Sequence, residues 1–482
     1  MVVWKNDPDH STPLDADHLI QAFDDERASE RANASSTYGR KVSIVVDAAG
    51  GGDYSTIQAA MVAVPAGGAD VLVKRGTYTL TAEINPPAGT TLRGEGRGTV
   101  LKVGNAVNGN ALAVIGGVSG VTISDLAIDG NKVNQTGNGS GIVCNTGCSQ
   151  VRVSNVYVKD VNGYGIVCYP GATDLIWSGC FVQGARDESY EVGGGSSAAI
   201  TNCISMDSGK NGFLIWLNAG ATAKDVTVTN CVAKATGGGC VGFLIEGAGT
   251  AGGVSSVTVS GCSASSCSGP GFKVQNTTTD VTLTGNTARS NGGSGFHVNT
   301  TAGVVLVGNV SSKNDESGIL VITCTDFVVT SNICRANGQD ATQTNLYNGI
   351  TIFNTGDRGV VAHNRCYDDQ VTKTQMYGIR TLNTIGASVV IGPNILDGNG
   401  TTGQLFSFGG ATAPSCPVWK KLTAVTVNTA GSSIAHGLPY IPLSILVCMT
   451  SAGNIYKGGT SDGTVVVLKS DVDGRTADIY VG

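Results

Sequence analysis

The stretch 226–286 holds three copies of one motif: VTVTNC beginning at Val226, VTVSGC at Val257 and VTLTGN at Val281. In each, the first and third residues are apolar and those between are threonine, the two-residue alternation of a strand with one buried face. The motif runs back through AAITNC at Ala198, LIWSGC at Leu175, VRVSNV at Val151 and VTISDL at Val121. It runs forward through VVLVGN at Val304, FVVTSN at Phe327, VVAHNR at Val360 and VVIGPN at Val389. The eleven copies start 30, 24, 23, 28, 31, 24, 23, 23, 33 and 29 residues apart. That is a 23-residue unit with insertions, as in repeats whose loops vary on a fixed scaffold.

Most copies carry a second strand opening with glycine and then isoleucine or phenylalanine, as at Gly165-Ile166, Gly212-Phe213, Gly242-Phe243, Gly271-Phe272, Gly295-Phe296 and Gly318-Ile319. So short a unit cannot close a core alone. Stacked about 4.8 Å apart, its strands pair with their equivalents above and below, and the fold predicted is an all-β parallel β-helix. Stacking also predicts columns of like residues. The sixth motif position is cysteine at Cys180, Cys203, Cys231 and Cys262, then asparagine at Asn286, Asn309 and Asn332. Asparagines can bond along such a column, whereas the thiols are expected only to fill it. Phe213, Phe243, Phe272 and Phe296 are expected to form an internal stack.

Among 482 residues, 70 are glycine and 12 proline, 41% are hydrophobic and 14% charged. There is apolar surface enough for a large core, and no Gly-X-Y period. No run of 18 apolar residues suggests a membrane helix. A net charge of −6 without a basic cluster argues against nucleic acid as partner. The opening residues MVVWK are followed by acidic and polar ones, so a secretory segment is not expected and the 14 cysteines are read as thiols. There is a Cys144-x-x-x-Cys148 spacing but no CxxC pair and no histidine at ligand spacing, so neither a metal nor a cofactor is expected.

The ends differ from the repeat. Residues 41–110 are expected to start and cap the solenoid, with a helix over Ser55 to Val64 whose apolar face is Ile57, Ala60, Met61 and Val64. Residues 1–40 contain a helical candidate, Leu14 to Ala34, and 411–482 read as short strands separated by Gly, Asn, Asp and Ser, a small β-sandwich. The solenoid proper occupies 111–410. The segments VDAAGGGDYSTIQAA, GTYTL and TLRGEGRGT within 46–99 resemble the first turns of the pectate-lyase-like superfamily of right-handed β-helices, which includes polysaccharide lyases, glycoside hydrolases and phage tailspikes. WKNDPDHSTPLDADHLIQAF near the start is similar to virion-attachment segments of phage tail fibres, and HGLPYIP (His436 to Pro442) to their carboxy-terminal β-domains. The resemblance implies a homotrimeric tailspike on the phage tail of a virion, assembled in the host cytoplasm. Its expected partners are a tail or baseplate protein, reached through 1–40, and a bacterial surface polysaccharide, capsule or lipopolysaccharide. It would bind this glycan and depolymerise it as a hydrolase or lyase, or serve as a non-enzymatic binding rod.

Offsets in the repeat place candidate site residues. Four positions beyond the second-strand glycine stand Asn145, Tyr169, Trp216, Glu246, Gln275 and Asn299, aromatic faces and polar groups suited to a sugar chain. A charged turn at Arg186 to Glu191 offers Asp187, Glu188 and Glu191, and the next turn Asp207 and Lys210 at nearly the same offset. Paired carboxylates can serve as acid and base in glycoside cleavage. The candidate catalytic set is Asp187, Glu188, Glu191 and Asp207, with Tyr169, Lys210, Trp216, Glu246 and Gln275 binding substrate. A second candidate site comprises Asp340, Asp368 and Asp369 in the long turns 335–349 and 365–378.

Overall fold

The computed structural model describes residues 41–400 apart from 218–221, 248, 250–252, 343–345, 356–357 and 383–387, together with strand backbones between 406 and 481. Three parallel sheets wind into a β-helix. Sheet A has fourteen strands, from Val42–Val46 to Val390–Ile391, and all eleven predicted motifs fall on it in sequence order. From Ala69–Val73 onward a sheet B strand follows each sheet A strand after a tight corner, and sheet C carries the glycine-led strands.

Segment 41–103 does more than cap. Val42–Val46, Ala69–Val73 and Thr91–Arg93 are the first three strands of sheet A, because VSIVV and ADVLV alternate as the later motifs do. The helix is shorter than predicted, Ile57–Val62, started by Thr56, whose Oγ1 accepts from Ala59 N–H at 3.2 Å. Ile57, Ala60 and Met61 are buried as expected. The predicted helix at 14–34 and the attachment segment lie outside the described residues. Toward the carboxyl end, Lys420–Val427 and Ile445–Met449 each pair antiparallel with Arg475–Val481, and Ser432–Ala435 and Ile455–Lys457 with Val465–Ser470.

The core is a set of like-on-like stacks. Phe213, Phe243, Phe272 and Phe296 stack with ring centroids 4.6, 4.7 and 4.9 Å apart, and Tyr190 extends the column upstream at 4.6 Å from Phe213. The asparagine column is fully bonded. Asn309 Oδ1 accepts from the Asn286 backbone N–H (2.9 Å) and Nδ2 (3.1 Å), while its own Nδ2 donates to Leu283 O (2.9 Å) and Asn332 Oδ1 (3.0 Å). The column continues through Asn364 to Asn394. The thiols do more than fill space: Cys231 Sγ accepts from Cys203 N–H at 3.4 Å and donates to Ile200 O at 3.6 Å. A second ladder joins Cys267, Asn291, Asn314, Asn337, Gln375 and Asn399, each five residues beyond its counterpart in the first except Gln375, which follows Asn364 by eleven. The described cysteines are free thiols.

Candidate functional site

Residues 187–191 are not a turn throughout: Tyr190–Gly193 is a sheet C strand, paired with Ile166–Cys168 and Phe213–Trp216. Ser189 stands where neighbouring turns have glycine. At Gly165 a Cβ would meet Ser189 O and Val182 Cγ1, both at 2.4 Å. At 189 the residue beneath is Ser205 rather than a bulky side chain, and its hydroxyl donates to Ser189 Oγ at 2.8 Å. With Tyr190 in the phenylalanine column, Glu191 takes the outward position between Val167 and Leu214.

Glu191 is only 2% exposed, and Trp216 Nε1 donates to its Oε1 at 2.8 Å. Burial lifts its carboxyl to about 7, against the lowering effect of that indole bond. Glu188 is also buried and raised above its ordinary value by burial, although Lys210 lies 4.0 Å away and Asn211 Nδ2 donates to it at 3.1 Å. Asp187 behaves oppositely. Burial pushes it up, but Arg186 at 2.6 Å and Lys210 at 3.0 Å outweigh that and hold it below the ordinary range. Arg186 is braced by Asn138 Oδ1 at 2.6 Å. Carboxyl groups of opposed tendency therefore share one surface, the condition under which one gives a proton while another stays ionised.

Apolar patches flank these acids. Upstream, Tyr164 and Tyr169 pack on Ala113, Val143 and Val167; downstream, Trp216 packs on Leu214, Val241 and Leu244. The register places Gly193 between Tyr169 and Trp216, so the two rings are separated by a rung without a side chain. A Cβ at Gly193 would sit 3.2 Å from Glu191 Oε1 and 3.4 Å from Trp216 Nε1, on top of their hydrogen bond. Glu246, next in the column after Trp216, accepts from Gln275 Nε2 at 2.7 Å and Asn276 Nδ2 at 2.8 Å.

The structure thus brings Asp187, Glu188, Glu191, Lys210, Tyr169 and Trp216 to one region of sheet C. Asp207 stands apart: it follows the sheet B strand Ile204–Met206, exposed, within 3.4 Å of Gln183 Nε2. The second candidate site does not present a pair of free carboxylates. Asp368 is buried and accepts from the backbone N–H groups of Gln370, Thr374 and Gln375, stapling its own loop. Asp369 is exposed and bonded to Arg335, and Asp340 accepts locally from Thr342. Tyr164, Asn211 and Asn138 join the first site without having been singled out from sequence. The signal for the first two was the shared column, since Glu188 is flanked by Tyr164 and Asn211 in register. Among the described residues no group of three or more His, Cys, Asp or Glu is arranged to hold a metal ion. A groove of about 600 Å³ lies elsewhere, on the outer face of sheet A over Ala199, lined by Arg152, Asp174, Ile176, Asp225 and Thr227. It shares no residue with the acids.

Residues 211–390 match the family model described as a right handed beta helix region. No curated protein matches the sequence. Among solved structures, the chain is similar to the A-module of the mannuronan C-5 epimerase AlgE4 of Azotobacter vinelandii at 18% identity, over 75% of this chain and 94% of that one, with a TM-score of 0.57. It is also similar to a mutant tailspike protein of E. coli bacteriophage HK620 in complex with a pentasaccharide, at 13% identity, over 88% of each chain, with a TM-score of 0.51. At such identities the likeness is one of fold, and with the stacked register it establishes the chain as a right-handed parallel β-helix protein.

Proposed function

We propose that this protein binds a bacterial surface polysaccharide along the outer face of sheet C and cleaves it at the Asp187–Glu188–Glu191 cluster. The observation that carries this reading is Glu191, buried between apolar neighbours beneath the Trp216 indole, with its carboxyl lifted to about 7. A carboxyl poised there can donate a proton to the leaving glycosidic oxygen. Asp187, kept ionised by Arg186 and Lys210, takes a proton from the attacking water. Atoms balance as hydrolysis: the anomeric C–O bond breaks, water supplies hydroxyl to one fragment, and Glu191 supplies the other's proton. Tyr164, Tyr169 and Trp216 offer ring faces to sugars on either side.

The wider role proposed is that of a homotrimeric phage tailspike, joined to a tail or baseplate protein through residues 1–40. Its supports are the resemblances at both ends of the sequence and the shared fold of a tailspike solved with a pentasaccharide. A binding rod without turnover is the second reading. It is favoured by the saturation of Asp187 and Glu188 by Arg186, Lys210 and Asn211.

Purified protein incubated with capsule and lipopolysaccharide from candidate hosts should release new reducing ends. Glu191→Gln should abolish release while leaving glycan binding and oligomeric state intact. Binding with no product from any glycan would select the rod. Products bearing unsaturated uronates would replace hydrolysis by elimination.

A further inference from the structure

We propose that the bound glycan is anionic, and that the downstream part of the sheet C face, around Lys273, His297 and Arg380, receives its negative groups. The inference rests on the polysaccharide reading above and names its substrate class. The outward column that holds Glu191 continues, rung by rung, through Leu214, Leu244, Lys273, His297, Leu320, Thr351 and Arg380. At about 4.8 Å per rung, Lys273 lies ~14 Å from Glu191 along the axis, and Arg380 ~19 Å beyond Lys273. All three nitrogen-bearing side chains therefore face the line along which a polymer passing the acids would run.

Their bonding sets them apart. Among the described residues, none of the three has an ion-pair partner, whereas Lys159, Lys210, Arg186, Arg335 and Arg358 do. His297 Nε2 and Arg380 Nε are shielded from solvent without a hydrogen-bond partner. Acids stand on nearby rungs but are engaged by neutral donors: Glu246 by Gln275 and Asn276, Glu316 by the Ser294 hydroxyl at 2.8 Å. Burial and the neighbouring Lys273 charge hold the His297 imidazole down, at about 4, as expected beside an ammonium that nothing neutralises. Arg380 lies over the Tyr377 ring, 5.3 Å from its centroid, a contact that orients the guanidinium without neutralising it. Shielded polar nitrogens without partners are costly, and a carboxylate or phosphate on the glycan meets the unpaired Lys273 and Arg380 cations with charge-assisted bonds. In a chain of net charge −6, a row of unpaired positive and donor groups beside a candidate sugar groove selects for an acidic polymer.

The test uses the full chain against immobilised purified capsular polysaccharides, each offered native, carboxyl-reduced and dephosphorylated. The expected result is that the bound members carry carboxylate or phosphate, and that removing the responsible group weakens binding about tenfold or more, the scale of one charge-assisted contact. Which treatment weakens binding identifies the group. Lys273→Met should reproduce the loss, while Lys234→Met, on the exposed face of sheet B, should leave binding unchanged. Thermal unfolding of both variants at the wild-type midpoint separates lost contact from lost fold, and Lys273→Arg should restore binding if Lys273→Met proves unstable. Neutral glycans bound, or affinity indifferent to both treatments and to Lys273→Met, would overturn this proposal while leaving the polysaccharide reading standing. If no glycan is bound at all, that reading falls and the present one with it.

Discussion

Replacing Glu191 by glutamine should make the protein more stable at neutral and alkaline pH, and no more stable in acid. The folded carboxyl sits at about 7 against an ordinary value of 4.5, with burial as the main cause. The folded state therefore binds the proton more tightly than the unfolded chain. Its contribution is fully present below pH 4.5, is lost progressively as pH rises through about 7, and is absent above that. The difference corresponds to ~3 kcal/mol between the two limits. Glutamine has the shape of the protonated acid and keeps an oxygen for the Trp216 N–H, so Glu191→Gln removes the alkaline penalty and little else. Because a solenoid opens locally, the sensitive assay is hydrogen exchange of the amides in Tyr190–Gly193, followed with urea unfolding from about pH 4 to about pH 8.5. The gap between variant and wild type should widen with pH and then level. A gap that is constant across that range, or that closes as pH rises, would refute the burial argument and with it the assignment of Glu191 as proton donor.

Other outcomes follow from the same geometry. Gly193→Val should push Trp216 off Glu191, cutting turnover while leaving far-ultraviolet dichroism unchanged; retained activity would show the indole contact to be dispensable. Asp187→Asn should lower turnover by at least about a hundredfold, as loss of a general base does, whereas Asp207→Asn should not, because Asp207 lies off the cluster. Asn309→Ala orphans the Asn286 N–H and strips bonds from Leu283 O and Asn286 Nδ2, costing about 3–5 kcal/mol in denaturant unfolding; Asn309→Cys should cost less, since thiols accept the same backbone N–H upstream. Phe243→Ala opens the aromatic stack between rings 4.6 and 4.7 Å away and should cost about 3–5 kcal/mol.

The register was readable from sequence because a period near 23 converts offset directly into position, and the phenylalanine and asparagine columns followed from that alone. The site was less readable, for specific reasons. Ser189-Tyr190 replaces the Gly-Phe signature, so the strand at Tyr190–Gly193 read as a charged turn, and Gly193 dropped out of the column between Tyr169 and Trp216. Asp207 looked equivalent to the acids because sequence distance alone does not distinguish the sheet B corner from the approach to sheet C. The aspartate pair at 368 and 369 gave no sign that one faces inward to hold backbone amides while the other meets Arg335. The second ladder did have a signal, the N-x-x-x-x-N spacing at Asn286-Asn291, Asn309-Asn314 and Asn332-Asn337, which repeats with the motif.

The ladder has a bearing on how such a molecule can vary in length. Asn286, Asn309 and Asn332 each offer the turn above and the turn below the same set of donors and acceptors, so any one of them can meet any other. Excising or duplicating a whole winding therefore leaves every amide matched whatever the length of its loops, since Asn332 meets Asn364 across 32 residues just as Asn286 meets Asn309 across 23. The rod can be lengthened or shortened in quanta of one winding, carrying the acidic cluster nearer to or farther from either tip without altering its internal arrangement.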